Sequence, residues 1–203
     1  MIALDDGARD ALRELVNIAS GNAANALAQL LGQRTMISVP KLTVAPINDI
    51  SSMLGIAGEP NVVVAMQVLG DVTGVLLFVM PCARAHQLSA LLLGLTEPAS
   101  GGFDANGQSS LSETANILAG AYAGALGTIL GGMVMISVPV FGITPPEDVL
   151  ARFRSDKGLS PFGLCIETSF AVGEDGTGCE GHMVFLPGTG ALEFIVDSLA
   201  HAV

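Results

Sequence analysis

Residues 12–40 read LRELVNIASGNAANALAQLLGQRTMISVP, and residues 111–139 read LSETANILAGAYAGALGTILGGMVMISVP. At a constant offset of 99, 15 of these 29 positions are identical. The offset carries on to Pro46 with Pro145 and Asp49 with Asp148, then drifts, so that Pro60 meets Pro161 and Pro81 meets Pro187. A match held this far implies two copies of one unit fused head to tail. The expected organisation is a single domain of two repeats, about 8–96 and 109–203. The Gly-rich stretch EPASGGFDANGQ, residues 97–108, is the expected linker.

Each unit has the same order of signals. A helix is expected from about Asp10 to Gly32, and its counterpart from Ser109 to Gly131. The strands MISVPKLTVAP and MISVPVFGITP follow, rich in β-branched residues. A short acidic turn or helix comes next, NDISSML or PPEDVLARF, and then a hairpin. In the first copy the hairpin runs Val62–Leu69 and Val72–Val79, turning at Gly70-Asp71. In the second it runs Phe162–Val172 and Cys179–Phe185, with a GEDGTG turn. CARAHQLSALLLG and GALEFIVDSLAHAV supply closing helices. The expected fold class is α+β, two pseudo-symmetric repeats with long helices packed on a largely antiparallel sheet.

Charge narrows the function. The 203 residues carry a net charge of −11 and only 8 Lys plus Arg. A nucleic-acid partner needs clustered cations, and an anionic membrane surface needs them too, so both are excluded. The three cysteines, Cys82, Cys165 and Cys179, are too scattered for a disulfide framework or a zinc site. His86, His182 and His201 are isolated from any metal-motif spacing, so no metal of the chain's own is expected. The first residues, MIALDDGARD, lack the basic-then-apolar pattern of a secretory signal, and the expected compartment is the cytoplasm. Residues 114–146 hold no charge and place Gly120 and Gly124 at a membrane-helix spacing. The equivalent stretch of the first copy carries Arg34 and several Asn and Gln, which argues against membrane insertion.

The polar residues kept in both copies point to chemistry. Asp10, Glu14 and Asn17 stand at i, i+4 and i+7, within about 60° of one another on a helix. The opposite face, Leu12, Leu15, Val16, Ala19, Ala23, Ala26 and Leu30, is expected to pack on the sheet. The second copy repeats the set as Ser109, Glu113 and Asn116, backed by Leu111, Ala115, Leu118, Tyr122, Ala125 and Ile129. Just beyond each Asn, on its own face, come small residues only: Gly21, Ala24 and Ala28, and then Gly120, Ala123 and Gly127. Glycine inside a helix costs about 1 kcal/mol relative to alanine, yet both copies place one four residues after the Asn. Such a strip either packs another helix of this chain or lets a second macromolecule approach, with the Asn projecting.

The spacing Asp/Ser, three residues, Glu, two residues, Asn, 22 residues, Pro occurs twice, ending on Pro40 and on Pro139. It resembles the signature of the CheC, CheX and FliY family of chemotaxis phosphatases, and two intact motifs are most similar to the CheC type. The resemblance covers essentially the whole chain. It implies hydrolysis of the aspartyl phosphate of a CheY-like response regulator, with Asn17 and Asn116 orienting the attacking water. Glu14 and Glu113 would contact a lysine of the receiver. Pro40 and Pro139 would shape the strand beside the helix, and Asp10 and Ser109 would be either motif residues or helix caps. Gly21, Ala24, Gly120 and Ala123 would face the partner. The Mg²⁺ would come with the receiver, and a CheD-like deamidase is a further implied partner. A receiver-binding or switch adaptor without turnover is the alternative from another class.

Overall fold

The computed structural model describes residues 6–54, 59–98, 101–151, 158–172 and 177–201. Helix α1 (Asp6–Leu31) leads into strand β1 (Thr35–Pro46), the short helix α2 (Ile47–Ile50) and a 3-10 turn at Ser51–Met53. Strands β2 (Asn61–Gly70) and β3 (Gly74–Pro81) and helix α3 (Cys82–Leu93) complete the first copy. The second copy holds α4 (Ala105–Leu130), β4 (Val134–Ile136), β5 (Val140–Thr144), α5 (Pro146–Val149), β6 (Phe162–Val172), β7 (Thr177–Pro187) and α6 (Ala191–His201). Most of the GEDGTG turn, residues 173–176, lies outside the described residues.

All seven strands join one antiparallel sheet in the order β1-β6-β7-β3-β2-β4, with β5 also on β2. The order reads the same from either end when β4 and β5 together stand for β1, β2 for β6 and β3 for β7. The strand that follows each long helix therefore pairs with the hairpin of the other copy. Hydrogen bonding crosses between the copies at three places in the sheet: β1 on β6, β7 on β3, and β2 on β4 and β5.

Side chains alternate across this sheet and both faces are covered. On one face Val62, Val64, Met66 and Val68 of β2 and Leu76, Phe78 and Met80 of β3 meet the four longer helices. On the other, Leu77, Val79, Cys165, Val184 and Leu186 meet Ile47, Ile50, Leu54, Val149 and Leu150 from the short helical segments. The two long helices pack on each other as well as on the sheet. At their crossing Ser20 Oγ and Tyr122 OH lie 3.1 Å apart. Among the described residues no helix is long and apolar enough to cross a membrane.

Several boundaries differ from the sequence reading. Helix α4 begins at Ala105, because the Asp104 carboxylate accepts from the Gly107 N–H at 2.8 Å and caps it. Residues read as linker are thus its first turn, and Ser109 sits inside the helix. Asp10 likewise lies inside α1, so neither residue caps. The first hairpin does not turn at two residues: its last β2–β3 pair is Val68 with Gly74. The end of β2 is occupied with β4 instead, Leu69 facing Met135 and Gly70 facing Val134. On α1, Ala26 and Leu30 are exposed and Leu27 is buried. Leu30 follows Leu12 by five full turns, so it points the same way, and its exposure means that the end of α1 overhangs the sheet.

Candidate functional site

The prolines of the two motifs mark a bulge in each copy. Along β1, Ser38 faces Ser169 and Lys41 faces Glu167, so three steps on β1 oppose two on β6. Along the equivalent edge, Ile136 faces Val68 and Val140 faces Ala65, so four steps oppose three on β2. Each edge therefore holds one extra residue, at Val39-Pro40 and at Val138-Pro139. Proline has no N–H to give the ladder, which suits it to an edge or bulge position. The strand expected over 135–145 is split into β4 and β5 for this reason. Ser137 spans the gap: its N–H donates to the Gln67 carbonyl and its Oγ accepts from the Gln67 N–H, both at 2.9 Å.

The bulge of β1 lies beside Asn17. Arg13, Val16 and Asn17 of α1 and Val39, Lys41 and Leu42 of β1 line one cleft of about 180 Å³. Glu14 and Asn17 are exposed, one turn apart on the same helix. Arg13 Nη1 is 3.5 Å from Asp10 Oδ1 in an exposed ion pair. On α4, Glu113 is exposed and Asn116 half-buried. Glu113 and Ser109 share a second cleft of about 350 Å³ with Leu30 and Leu31 from the end of α1 and Leu92 and Leu93 from α3.

The contact of Ser20 with Tyr122, and that of the end of α1 with Glu113, make the two helices antiparallel. Asn17 precedes Ser20 by three residues and Asn116 precedes Tyr122 by six. At 1.5 Å per residue the two carboxamides stand roughly 13 Å apart along the helix axes.

The small-residue strip is divided between surface and core. A side chain at Gly21 would meet nothing within 4 Å, and one at Gly120 would just touch Ile136 at 4.0 Å. Ala123, expected to face a partner, is instead only 8% exposed and belongs to the interior. Gly127 is buried, where a Cβ would stand 2.9 Å from the Gly132 carbonyl oxygen. Both long helices end on a glycine of φ +63, Gly32 and Gly131. After Gly131 the chain doubles back, its Gly132 N–H donating to the Gly127 carbonyl at 3.0 Å, and this turn fills the space beside Gly127. On α4 the open strip is therefore Gly120 and Gly124.

No cysteine offers a thiolate. Burial pushes all three thiols up, Cys165 to about 12, with the Glu167 carboxylate adding to the effect there. Burial holds the His182 imidazole below its ordinary value, and its Nδ1 has no hydrogen-bond partner. Among the described residues no three His, Cys, Asp or Glu side chains gather as a metal-binding group. What the two helix faces present is a carboxylate and a carboxamide one turn apart, each beside open surface. Sequence reasoning gave Arg13 and the leucines of the second cleft no site role; the change of Arg13 to Ser112 at offset 99 was the signal for the first.

Residues 8–44 match the CheC-like family. The CheY-P phosphatase CheC of Bacillus subtilis (strain 168) is 29% identical over 197 residues, 94% of this chain and 92% of that protein. Over nearly its whole length the chain is similar to CheC. The flagellar motor switch phosphatase FliY of the same organism is 30% identical over 159 residues, covering 76% of the chain and 39% of FliY. The crystal structure of Thermotoga maritima FliY superposes with a TM-score of 0.80 over 100% of both chains at 20% identity. At that identity the likeness speaks for the fold alone.

Proposed function

We propose that this chain hydrolyses the aspartyl phosphate of a CheY-like receiver domain, using Asn17 and Asn116 as the water-orienting groups of two sites. The observation that carries the reading is the Glu–Asn pair that recurs on both long helices, exposed on α1 and with a half-buried Asn on α4, beside a glycine whose Cβ space is open. A relative named as a CheY-P phosphatase supports the substrate class, and one named as a flagellar motor switch phosphatase supports the reaction type.

The chemistry fits the groups. An acyl phosphate needs a water held in line with phosphorus more than it needs a new nucleophile. A carboxamide oxygen accepts a hydrogen bond from that water and brings no charge to repel phosphate oxygens. The receiver carries its own Mg²⁺, which neutralises phosphoryl charge, and a lysine. Glu14 or Glu113, one turn back, would take a charge-assisted contact from that lysine and set the depth of insertion. The bulged edge would hold the Asn-bearing face at a fixed distance from the sheet.

The test is the decay of a phosphorylated receiver, followed with and without the purified chain. A decay accelerated in proportion to added protein supports the proposal. A lifetime unchanged at stoichiometric protein, with complex formation demonstrated, would turn the reading to a non-catalytic receiver-binding adaptor.

A further inference from the structure

The two candidate sites stand on equivalent scaffolds but have different rims. At the first, Arg13 lines the cleft one turn before Asn17 and is paired with Asp10. Lys41 borders the same cleft, but its Nζ lies 3.7 Å from Glu167 Oε1. Leu42, the next residue, packs into the helix-side core, so the Lys41 side chain is on the other face of the sheet. Arg13 is thus the cationic group that this cleft presents. In a chain with 8 Lys plus Arg and a net charge of −11, a cation beside Asn17 is not background.

At the second site the offset of 99 replaces both members of the ion pair together, Asp10 by Ser109 and Arg13 by Ser112. The cleft at Glu113 has leucines of α1 and α3 on one side and Asn106, Ser109, Ser110 and Thr114 on the other, and no cation lines it. An ion pair that served only to support the helix would be worth little at so exposed a position. Its presence beside one Asn, and its joint loss beside the other, instead changes what each rim can hold.

We infer that Arg13, steadied by Asp10, gives the Asn17 site a salt-sensitive grip on the anionic group of its substrate, a grip that the Asn116 site, with Ser112 in that place, lacks. This rests on the phosphatase reading above. A guanidinium reaches beyond a neighbouring carboxamide and matches the oxygens of phosphate or carboxylate. Its pull is exposed to solvent and fades as the screening length shortens with salt.

The experiment uses two full-length proteins, Asn116→Ala with the first site intact and Asn17→Ala with the second. Each is assayed on a phosphorylated receiver at about 50 and about 500 mM salt. The ratio of the two responses cancels the general effect of salt on two acidic proteins. The KM of the Asn116→Ala protein should rise about fivefold across that range, and that of the Asn17→Ala protein less than about twofold. Adding Arg13→Ser to the Asn116→Ala protein should raise KM at low salt with kcat held and abolish the salt response; Arg13→Lys should restore part of it. Equal salt responses at two active sites overturn this inference alone, as does an Arg13→Ser change that lowers kcat without moving KM. No turnover by either protein overturns the inference, and the phosphatase reading falls with it only if the unaltered chain is inactive as well. The salt comparison needs no change at Arg13, so a misfolded variant does not shield the inference.

Discussion

Replacing Gly21 should separate stability from activity. The residue lies in α1, four positions after Asn17, where an added Cβ meets nothing within 4 Å. Glycine in a helix interior is about 1 kcal/mol less favourable than alanine, and leucine is nearly as favourable as alanine. With no clash to offset that gain, Gly21→Ala should stabilise the protein by about 1 kcal/mol and raise Tm by about 2–4 °C for a chain of this size. Gly21→Leu should come close to it. If the bare strip is where a receiver approaches, the leucine side chain would stand between the two surfaces. Overpacking a close contact costs about 1–3 kcal/mol, so first-site kcat/KM, read in the Asn116→Ala protein, should fall by about fivefold or more. Thermal unfolding and receiver dephosphorylation measure the two effects on the same samples. A Gly21→Leu protein that keeps its kcat/KM within about twofold would refute the strip as a contact surface, whatever its Tm.

Gly127→Ala should act in the opposite sense on stability. Its Cβ would sit 2.9 Å from a backbone carbonyl, and the clash should outweigh the helix gain, for a net loss of about 1 kcal/mol in denaturant unfolding. The pH dependence of stability should contain a contribution from His182, whose pKa burial lowers from 6.5 while Glu167 and Glu180 partly oppose it. The unfolded chain then takes up the proton first, so this stability is present above about pH 6.5 and is lost as pH falls. His182→Leu should make the drop in Tm between about pH 7 and 5 smaller; an equal or steeper drop would count against the buried neutral imidazole.

The division between what the sequence revealed and what it withheld follows from range. The repeat, the long helices and the pairing of Glu with Asn rest on residues within a few turns of each other, and the offset of 99 exposes them directly. Which strand pairs with which does not. MISVPKLTVAP reads as a strand in isolation, but nothing local says that Leu42 will face Ile166 of the other copy rather than its own hairpin. The bulges were half-legible, since Pro40 and Pro139 stand out, while the bridging role of Ser137 depends on Gln67, 70 residues away. Leu30 has the direction of a core residue and is misread because periodicity cannot say where the sheet ends. Gly127 was misread for the converse reason: the turn after Gly131 folds back over that end of the strip, a tertiary event. Gly107, which reads as a turn residue, is drawn into α4 by the cap from Asp104.

The central claim is that two independent Asn-centred sites turn over the same kind of substrate. The measurement that tests it most directly is single-turnover decay of a phosphorylated receiver with four proteins: unaltered, Asn17→Ala, Asn116→Ala and the double change. With the carboxamides roughly 13 Å apart along the helices, neither can assist at the other's phosphate. Each single variant should therefore keep a fraction of the original rate, the two fractions should sum to about the whole, and the double variant should match the receiver alone. If either single change abolishes turnover in a folded protein, the two asparagines serve one composite site. If the double variant remains active, the asparagines are not the water-orienting groups, and the account fails at its centre.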